Sequence, residues 1–205
     1  MLRVFFCYYA CVENKQVISI LKNNGIGILP TDTLYGVVGS AFSKKAVERI
    51  HQIKERDENK PFIVLLSQIS DLAKFGITLN STQKNYLDSV WPGPVSVILP
   101  CYANKFAYLH RDTKSIAFRI PKNKKLREFL LQTGPLVAPS ANPQGEMPAT
   151  TIREAKKYFS DNVDFYIAGG KKKGNENVFI PAPPKGGKPS KIVSLASDSP
   201  VIIRE

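Results

Sequence analysis

Apolar residues along this chain repeat in two rhythms, helical spacing and short continuous or alternating runs, and the two take turns from end to end. Such alternation predicts a layered α/β or α+β domain. Val17, Ile20 and Leu21 fall at helical spacing and stop at Asn23-Asn24-Gly25, a sound helix end. Ile26–Leu29 reads as a short strand broken by Pro30, and Ser43 as the N-cap of a helix with Ala46, Val47, Ile50 and Ile53 on one face. Phe62–Leu66 is a continuous apolar run, the pattern of a strand buried on both sides. Two short helices follow at Ile69–Phe75 and Thr82–Val90, then strands at Val95–Leu99 and Ser115–Ile120. A basic helix is expected at Lys124–Leu131 and a short strand at Leu136–Ala138. Thr151-Ile152-Arg153-Glu154 is a capping box that opens a helix running to about Phe159. Phe165–Ala168, Ile192–Leu195 and Val201–Ile203 close the series as strands.

One stretch breaks the rhythm. Gly169–Lys188 has no clear period and holds Lys171-Lys172-Lys173 and Pro181-Ala182-Pro183-Pro184, which predicts a long, mobile, basic loop. The expectation is one domain over residues 1–205, with that loop and without an additional C-terminal domain.

The 29 Lys and Arg against 17 Asp and Glu leave a net charge of +12, which favours anionic partners such as nucleic acid or nucleotide phosphates. Three cysteines, Cys7, Cys11 and Cys101, without a CxxC pair argue against a disulfide framework or structural zinc. With His51 and His110 as the two histidines, a His-rich metal centre is not expected. The longest apolar run, Val4–Val12, falls short of the roughly 20 residues of a membrane span and reads as an edge strand, so the expected location is cytoplasmic with no membrane partner.

No GxxxxGK[ST] loop, GxGxxG, HExxH or GxSxG is present, so a nucleotide would be held by side chains and loop amides. Three clusters carry candidate chemistry. Pro30-Thr31-Asp32-Thr33-Leu34-Tyr35-Gly36 sets hydroxyls, a carboxylate and a phenol past a strand's carboxyl end, where α/β sheets build ligand crevices. The same residues also read as a capped turn, with Thr31 or Asp32 satisfying loop amides. Lys54, Arg56 and Lys60 are either dipole partners at a helix end or, if the helix unwinds there, a cationic cluster sized for a phosphate. Ser140 and Asn142 stand between Pro139 and Pro143, which stiffen the backbone and present both polar side chains.

Taken together, these motifs resemble the YrdC-type threonylcarbamoyl-AMP synthase family. The shared pattern runs from about Val17 to the last residue: PTDTLYG (Pro30–Gly36), Lys54-Glu55-Arg56 with Lys60-Pro61, Trp91-Pro92-Gly93-Pro94, IAFRIP (Ile116–Pro121), Ala138-Pro139-Ser140-Ala141-Asn142, Pro189–Val193 and VIIRE (Val201–Glu205). The resemblance implies a twisted mixed parallel/antiparallel sheet flanked by helices around a basic cavity. It also implies a nucleotidyltransferase that makes L-threonylcarbamoyl-AMP and pyrophosphate from L-threonine, bicarbonate and ATP, with Mg²⁺ accompanying the ATP, for tRNA modification. Lys54, Arg56, Ser140 and Asn142 would form the catalytic tetrad. Arg56, Lys60, Ser115, Ser140 and Arg204 would bind ATP, and Thr33, Arg119, Ala138 and Ser190 would bind threonine. No protein residue would be a dedicated metal ligand. A downstream threonylcarbamoyl transferase would take the product, and direct contact with tRNA or double-stranded RNA is a further implied partnership.

The residue types suit that chemistry on their own terms. Nearly every species is anionic, so the reaction needs positioning and cationic screening more than a tuned nucleophile. Departures from the family pattern are Lys191 after Ser190, Pro148-Ala149-Thr150 in place of Ser-Pro-Thr, and Ser96 in place of threonine. The alternative is a non-catalytic RNA-binding or ribosome-assembly relative on the same fold, supported by the charge and the lysine-rich loop. Carbamoyl transfer in hydrogenase maturation is a third reading, for which the chain lacks the accompanying modules.

Overall fold

The computed structural model describes residues 14–55, 62–170, 182–184, 187–196 and 199–205. Helices α1 (Asn14–Lys22), α2 (Lys44–Ile53), α3 (Ser81–Val90), α4 (Ala107–His110), α5 (Lys124–Thr133) and α6 (Ile152–Phe159) surround one mixed sheet. Its strands are β1 (Ile26–Pro30), β2 (Tyr35–Ser40), β3 (Ile63–Leu65), β4 (Val95–Pro100), β5 (Ser115–Arg119), β6 (Leu136–Val137), β7 (Phe165–Tyr166), β8 (Lys191–Ser194) and β9 (Val201–Arg204). The spatial order is β7-β1-β2-β6-β3-β5-β4-β8-β9. β1/β7, β3/β5 and β4/β8 run parallel, and the other neighbours antiparallel.

Local signals act where the pattern places them. The Ser43 hydroxyl accepts from the Ala46 amide at the start of α2. Thr151 and Glu154 exchange both capping-box bonds at the start of α6. Asn24, at φ 64, turns the chain out of α1 into β1. His51 joins Ala46, Val47 and Ile50 as a buried residue of α2. Ile69–Phe75 is helical as expected, but as a 3₁₀ segment.

β2, the 3₁₀ turn Asn104–Phe106 and α4 are additions to the sequence reading. Glycines at 36 and 39 weaken the strand signal of β2. Its fully buried position demands the second of them, because a Cβ at Gly39 would lie 3.1 Å from Ile26 and Ile50 atoms and 3.2 Å from Ala46.

Cross-strand partners share a face, so the registers divide the sheet into two unlike surfaces. On one, Ile26, Val137, Val64, Phe118, Val97 and Val193 form a fully buried apolar row across the sheet. Residues of α2, α3, α4, α6 and the 3₁₀ segment, including Ile50, Leu87, Leu109, Phe159 and Phe75, build the main core on that side. On the other, Val17 and Leu21 of α1 and Leu126, Phe129 and Leu130 of α5 pack with Leu29, Val38, Leu136 and Leu65. That second core stops at β3: no described residue of β5, β4, β8 or β9 belongs to it. The face continues as a strip of mixed polar and apolar side chains, Ser115, Ala117 and Arg119 on β5, Ser96 and Ile98 on β4, and Ile192 and Ser194 on β8. Ile63, at the border, is half-buried, so this strand is less enclosed than its unbroken apolar run suggests.

Candidate active site

The β1–β2 connection forms one wall of the strip. Thr31 closes it as a turn: its amide donates to the Leu34 carbonyl at 3.0 Å, its hydroxyl donates to the same oxygen at 2.7 Å, and it accepts from the Thr33 and Leu34 amides, each at 3.2 Å. Asp32 does something else. Its Oδ1 accepts from Arg119 Nη1 at 2.5 Å and its Oδ2 from the Lys122 amide at 2.8 Å, tying the turn to the exit of β5. Thr33 Oγ1 lies 3.0 Å from Thr31 Oγ1 and accepts from Arg119 Nη2 at 3.3 Å. The two readings of this cluster thus divide by residue, with Thr31 capping and Asp32 and Thr33 facing a guanidinium.

Arg119 is buried, with a side chain 4% exposed, and its Nε has no partner among the described residues. Ser190 lies on the far side of β4 from it, two residues before Ile192, the β8 residue in line with Arg119 and Ser96. The Ser190 and Ser96 hydroxyls are 2.8 Å apart and both buried. Arg204, from β9, donates from Nη2 to the Ser190 carbonyl at 2.6 Å and from Nε at 3.2 Å, and partial burial lowers its pKa from the ordinary arginine value. Ser115 is on the same face of β5 as Arg119, four residues or about 13 Å along the strand, with its hydroxyl donating to Thr113 Oγ1 at 3.2 Å. Thr33, Arg119 and Ser190 thus cluster at one end of the strip and Ser115 stands at the other.

The Pro139–Pro143 segment extends the wall formed by the β1–β2 connection, bridging at Ser140 to Gly36 of the same turn. It is pinned to β2 through the Val37 amide to the Pro139 carbonyl at 2.9 Å and the Ala141 amide to the Tyr35 carbonyl at 2.8 Å. Ala138, half-buried where β6 ends, donates its amide to the Ile63 carbonyl at 2.9 Å. α2 ends at Ile53, and Glu55 is left-handed at φ 48, so the helix does stop short of Arg56. The Lys54 ammonium, buried, donates to the Ser140 carbonyl at 2.5 Å and to the Asn142 carbonyl. The Asn142 amide donates to the carbonyls of Pro143 at 2.9 Å and Glu146 at 2.7 Å, and its Oδ1 is a buried acceptor with no partner among the described residues. Lys54 and Asn142 therefore shape the segment that presents the half-buried Ser140. Arg56 and Lys60 lie outside the described residues.

Both ends of the Gly169–Lys188 segment rest on the PTDTLYG turn. The Gly169 amide donates to the Tyr35 hydroxyl at 3.0 Å, and burial pushes that phenol's pKa up. Gly187 packs so closely that an added Cβ would sit 2.2 Å from the Thr33 carbonyl oxygen. Of the segment expected to be mobile, Gly169–Lys188, residues 171–181 and 185–186 lie outside the described residues, as does the run Val4–Val12.

Asp32, Ser96 and Tyr35 complete the site without having been singled out as site residues. Asp32 had a signal, as the one carboxylate in a cluster otherwise suited to anions. Ser96 and Tyr35 carried none beyond their motifs, because their roles depend on partners far along the chain.

The fold and the sequence both have known counterparts. The Sua5/YciO/YrdC family model, described as "Telomere recombination", matches residues 19–205. A putative threonylcarbamoyl-AMP synthase of Methanocaldococcus jannaschii is 33% identical over 94% of this chain and 87% of its own. The threonylcarbamoyl-AMP synthase of Bacillus subtilis is 29% identical over 92% of this chain and 52% of its own, so this chain spans about half that relative. P. abyssi Sua5, in its complex with L-threonine, superposes with a TM-score of 0.79 at 22% identity, over 95% of this chain and 55% of that one. E. coli YciO superposes with a TM-score of 0.77 at 24% identity, over 94% and 88%. Likeness at these structural identities speaks to fold alone; the sequence match over nearly the whole chain speaks to descent. On that match, the chain belongs to the Sua5/YciO/YrdC family.

Proposed function

We propose that the protein is a threonylcarbamoyl-AMP synthase. The threonine amine condenses with bicarbonate to a carbamate, releasing water. A carbamate oxygen then attacks the α-phosphorus of ATP, and pyrophosphate leaves. The chain's own contribution is to orient threonine, bicarbonate and ATP against one another and to screen the negative charge of the carbamate and the phosphates.

The observation that carries this reading is the buried Arg119–Thr33 pair on the strip beyond the second core, in a chain that aligns with named synthases along most of its length. A buried guanidinium with an unpartnered Nε suits the carboxylate of an amino acid, and the neighbouring hydroxyls of Thr33 and Ser190 suit its amine or hydroxyl. The strip toward Ser115, with Ser140 beside the PTDTLYG turn and Arg56 and Lys60 from the chain after α2, would take the nucleotide, and Arg204, held on the Ser190 carbonyl, would reach it from the threonine end. Ala138 would bound the threonine side.

Mg²⁺ would come in with the ATP phosphates. Among the described residues, no group of three or more His, Cys, Asp or Glu is placed to hold a metal ion. The adenylate is then substrate for a threonylcarbamoyl transferase acting on tRNA, and the net charge of +12 supports direct contact with tRNA or double-stranded RNA. Among the described residues, no helix is long and apolar enough to cross a membrane, and we assign the work to the cytoplasm.

Incubating the purified protein with ATP, threonine and labelled bicarbonate tests the assignment. Pyrophosphate release that needs both threonine and bicarbonate, together with a labelled adenylate, is expected. Equal release without threonine would indicate a plain ATPase.

A further inference from the structure

We infer that Asp32 is a positioning residue for Arg119: its buried carboxylate fixes the plane of the guanidinium so that the free donor edge faces the carboxylate of the amino-acid substrate. The inference rests on the proposed function and names how its amino-acid subsite is built.

The guanidinium is held firmly through Nη1 and Nη2, while its buried Nε has no hydrogen-bond partner among the described residues. Asp32 holds Arg119 Nη1 through Oδ1 at 2.5 Å while its Oδ2 is itself held by the Lys122 amide at 2.8 Å, so the carboxylate cannot swing. Both side chains are buried, 9% exposed for Asp32 and 4% for Arg119. The guanidinium has five N–H donors in a fixed plane. Asp32 takes one on Nη1, Thr33 takes one on Nη2 at 3.3 Å, and Nε is buried without a partner among the described residues. A carboxylate ligand is the group that would complete such a fork, through two parallel N–H···O bonds.

A stabilising role alone explains this poorly. A buried ion pair recovers its desolvation cost only when its remaining donors are satisfied, and here Nε is not. The Lys122 amide ties Asp32 to the backbone three residues beyond Arg119, so the turn that carries Thr33 and the strand that carries Arg119 move as a unit. Asp32 also cancels the arginine's charge. Two effects of removing it therefore have opposite signs. If Asp32 only neutralises Arg119, Asp32→Asn leaves a stronger cation and threonine binds more tightly. If Asp32 positions it, threonine binds less tightly.

Steady-state pyrophosphate release by wild type, Asp32→Asn, Arg119→Ala and the double variant, with threonine and ATP varied separately, decides between these. Asp32→Asn is expected to raise the threonine KM at least tenfold, with the ATP KM within about twofold of wild type and kcat at saturating threonine largely kept. In the Arg119→Ala background, Asp32→Asn should add no further rise, because its effect passes through the guanidinium. A lowered or unchanged threonine KM, or additive losses in the double variant, overturns the inference. Should Asp32→Asn fail to fold, Asp32→Glu, which keeps the charge and lengthens the arm, is expected to give the same threonine-selective rise, and wild-type kinetics in it would overturn the inference equally. A wild-type protein without threonine-dependent release would defeat the proposed function itself, an outcome read before any variant is compared.

Discussion

The Lys54 ammonium donates to the main-chain carbonyl of Ser140 at 2.5 Å and to that of Asn142 as well, from a side chain buried between α2 and the Pro139–Pro143 segment. A lysine in a motif that suggests phosphate binding is here a brace for backbone. Lys54→Met keeps the stem and removes the donors, leaving carbonyls short of a partner at about 1–3 kcal/mol. Adenylate formation should fall together with a melting temperature lowered by roughly 5 °C. Lost activity at an unchanged melting temperature would instead assign Lys54 a direct contact with the nucleotide.

Arg56 should behave in the opposite way. The chain leaves α2 at Ile53 and turns through Glu55, so Arg56 belongs to no described helix. If it grips ATP phosphate, Arg56→Ala removes a charge-assisted contact of about 1.5–3 kcal/mol, and more where the contact tightens as pyrophosphate leaves. Adenylate formation should drop at least roughly a hundredfold with little change in melting temperature. Arg56→Lys should recover part of it, since an ammonium lacks the planar fork. Activity near wild type in Arg56→Ala returns this residue to the surface.

Gly187 has no room for a side chain. A Cβ there would meet the Thr33 carbonyl oxygen at 2.2 Å and the Pro184 carbonyl oxygen at 3.0 Å, both main-chain atoms that cannot rotate away. Gly187→Ala must displace either the PTDTLYG turn or the segment resting on it. We expect a threonine KM raised about tenfold or more with the ATP KM less affected, measured by the same pyrophosphate assay. Equal kinetics would mean that the segment lifts off without cost to the turn.

Asp71 makes the fold sensitive to acid. Its carboxylate is buried, which alone would raise its pKa. Donation by Lys74 at 2.7 Å and by the Ser67 hydroxyl and amide at 2.6 and 3.0 Å outweighs that and holds it below the ordinary carboxylate range. A carboxylate depressed by folding contributes stability above its unfolded pKa, about 3.9, and loses it as pH falls through the folded value. Wild type should therefore lose more stability between pH 6 and pH 3 than Asp71→Asn does, by denaturant midpoints at the two pH values. Parallel losses would show that other carboxylates govern the acid limb.

The sequence by itself determined the elements whose signals are local. Ser43, Thr151 with Glu154, and Asn24 act within a turn of where they stand, and the structure uses all of them as their spacing predicts. β2 escaped because its Gly39 answers to Ile26, Ile50 and Ala46, residues brought near by folding rather than by spacing. The motifs brought Thr33, Lys54, Arg119, Ser140, Asn142 and Ser190 into view as candidates, but not their division of labour. Period-2 alternation says that two faces of a strand differ; it does not say which face a helix will cover. That α1 and α5 build their core only as far as β3, leaving Ser115, Arg119 and Ser96 on the part of the face outside it, follows from strand order and register. The Asp32–Arg119 bond spans 87 positions, and Lys54 reaches Ser140 across 86. Such pairs join residues whose neighbours in sequence carry no trace of one another, because hydrogen bonds and burial are set by distance in space. Tertiary structure alone made Lys54 a brace, Asp32 an anchor, and Arg119 a buried cation with one donor unmet among the described residues.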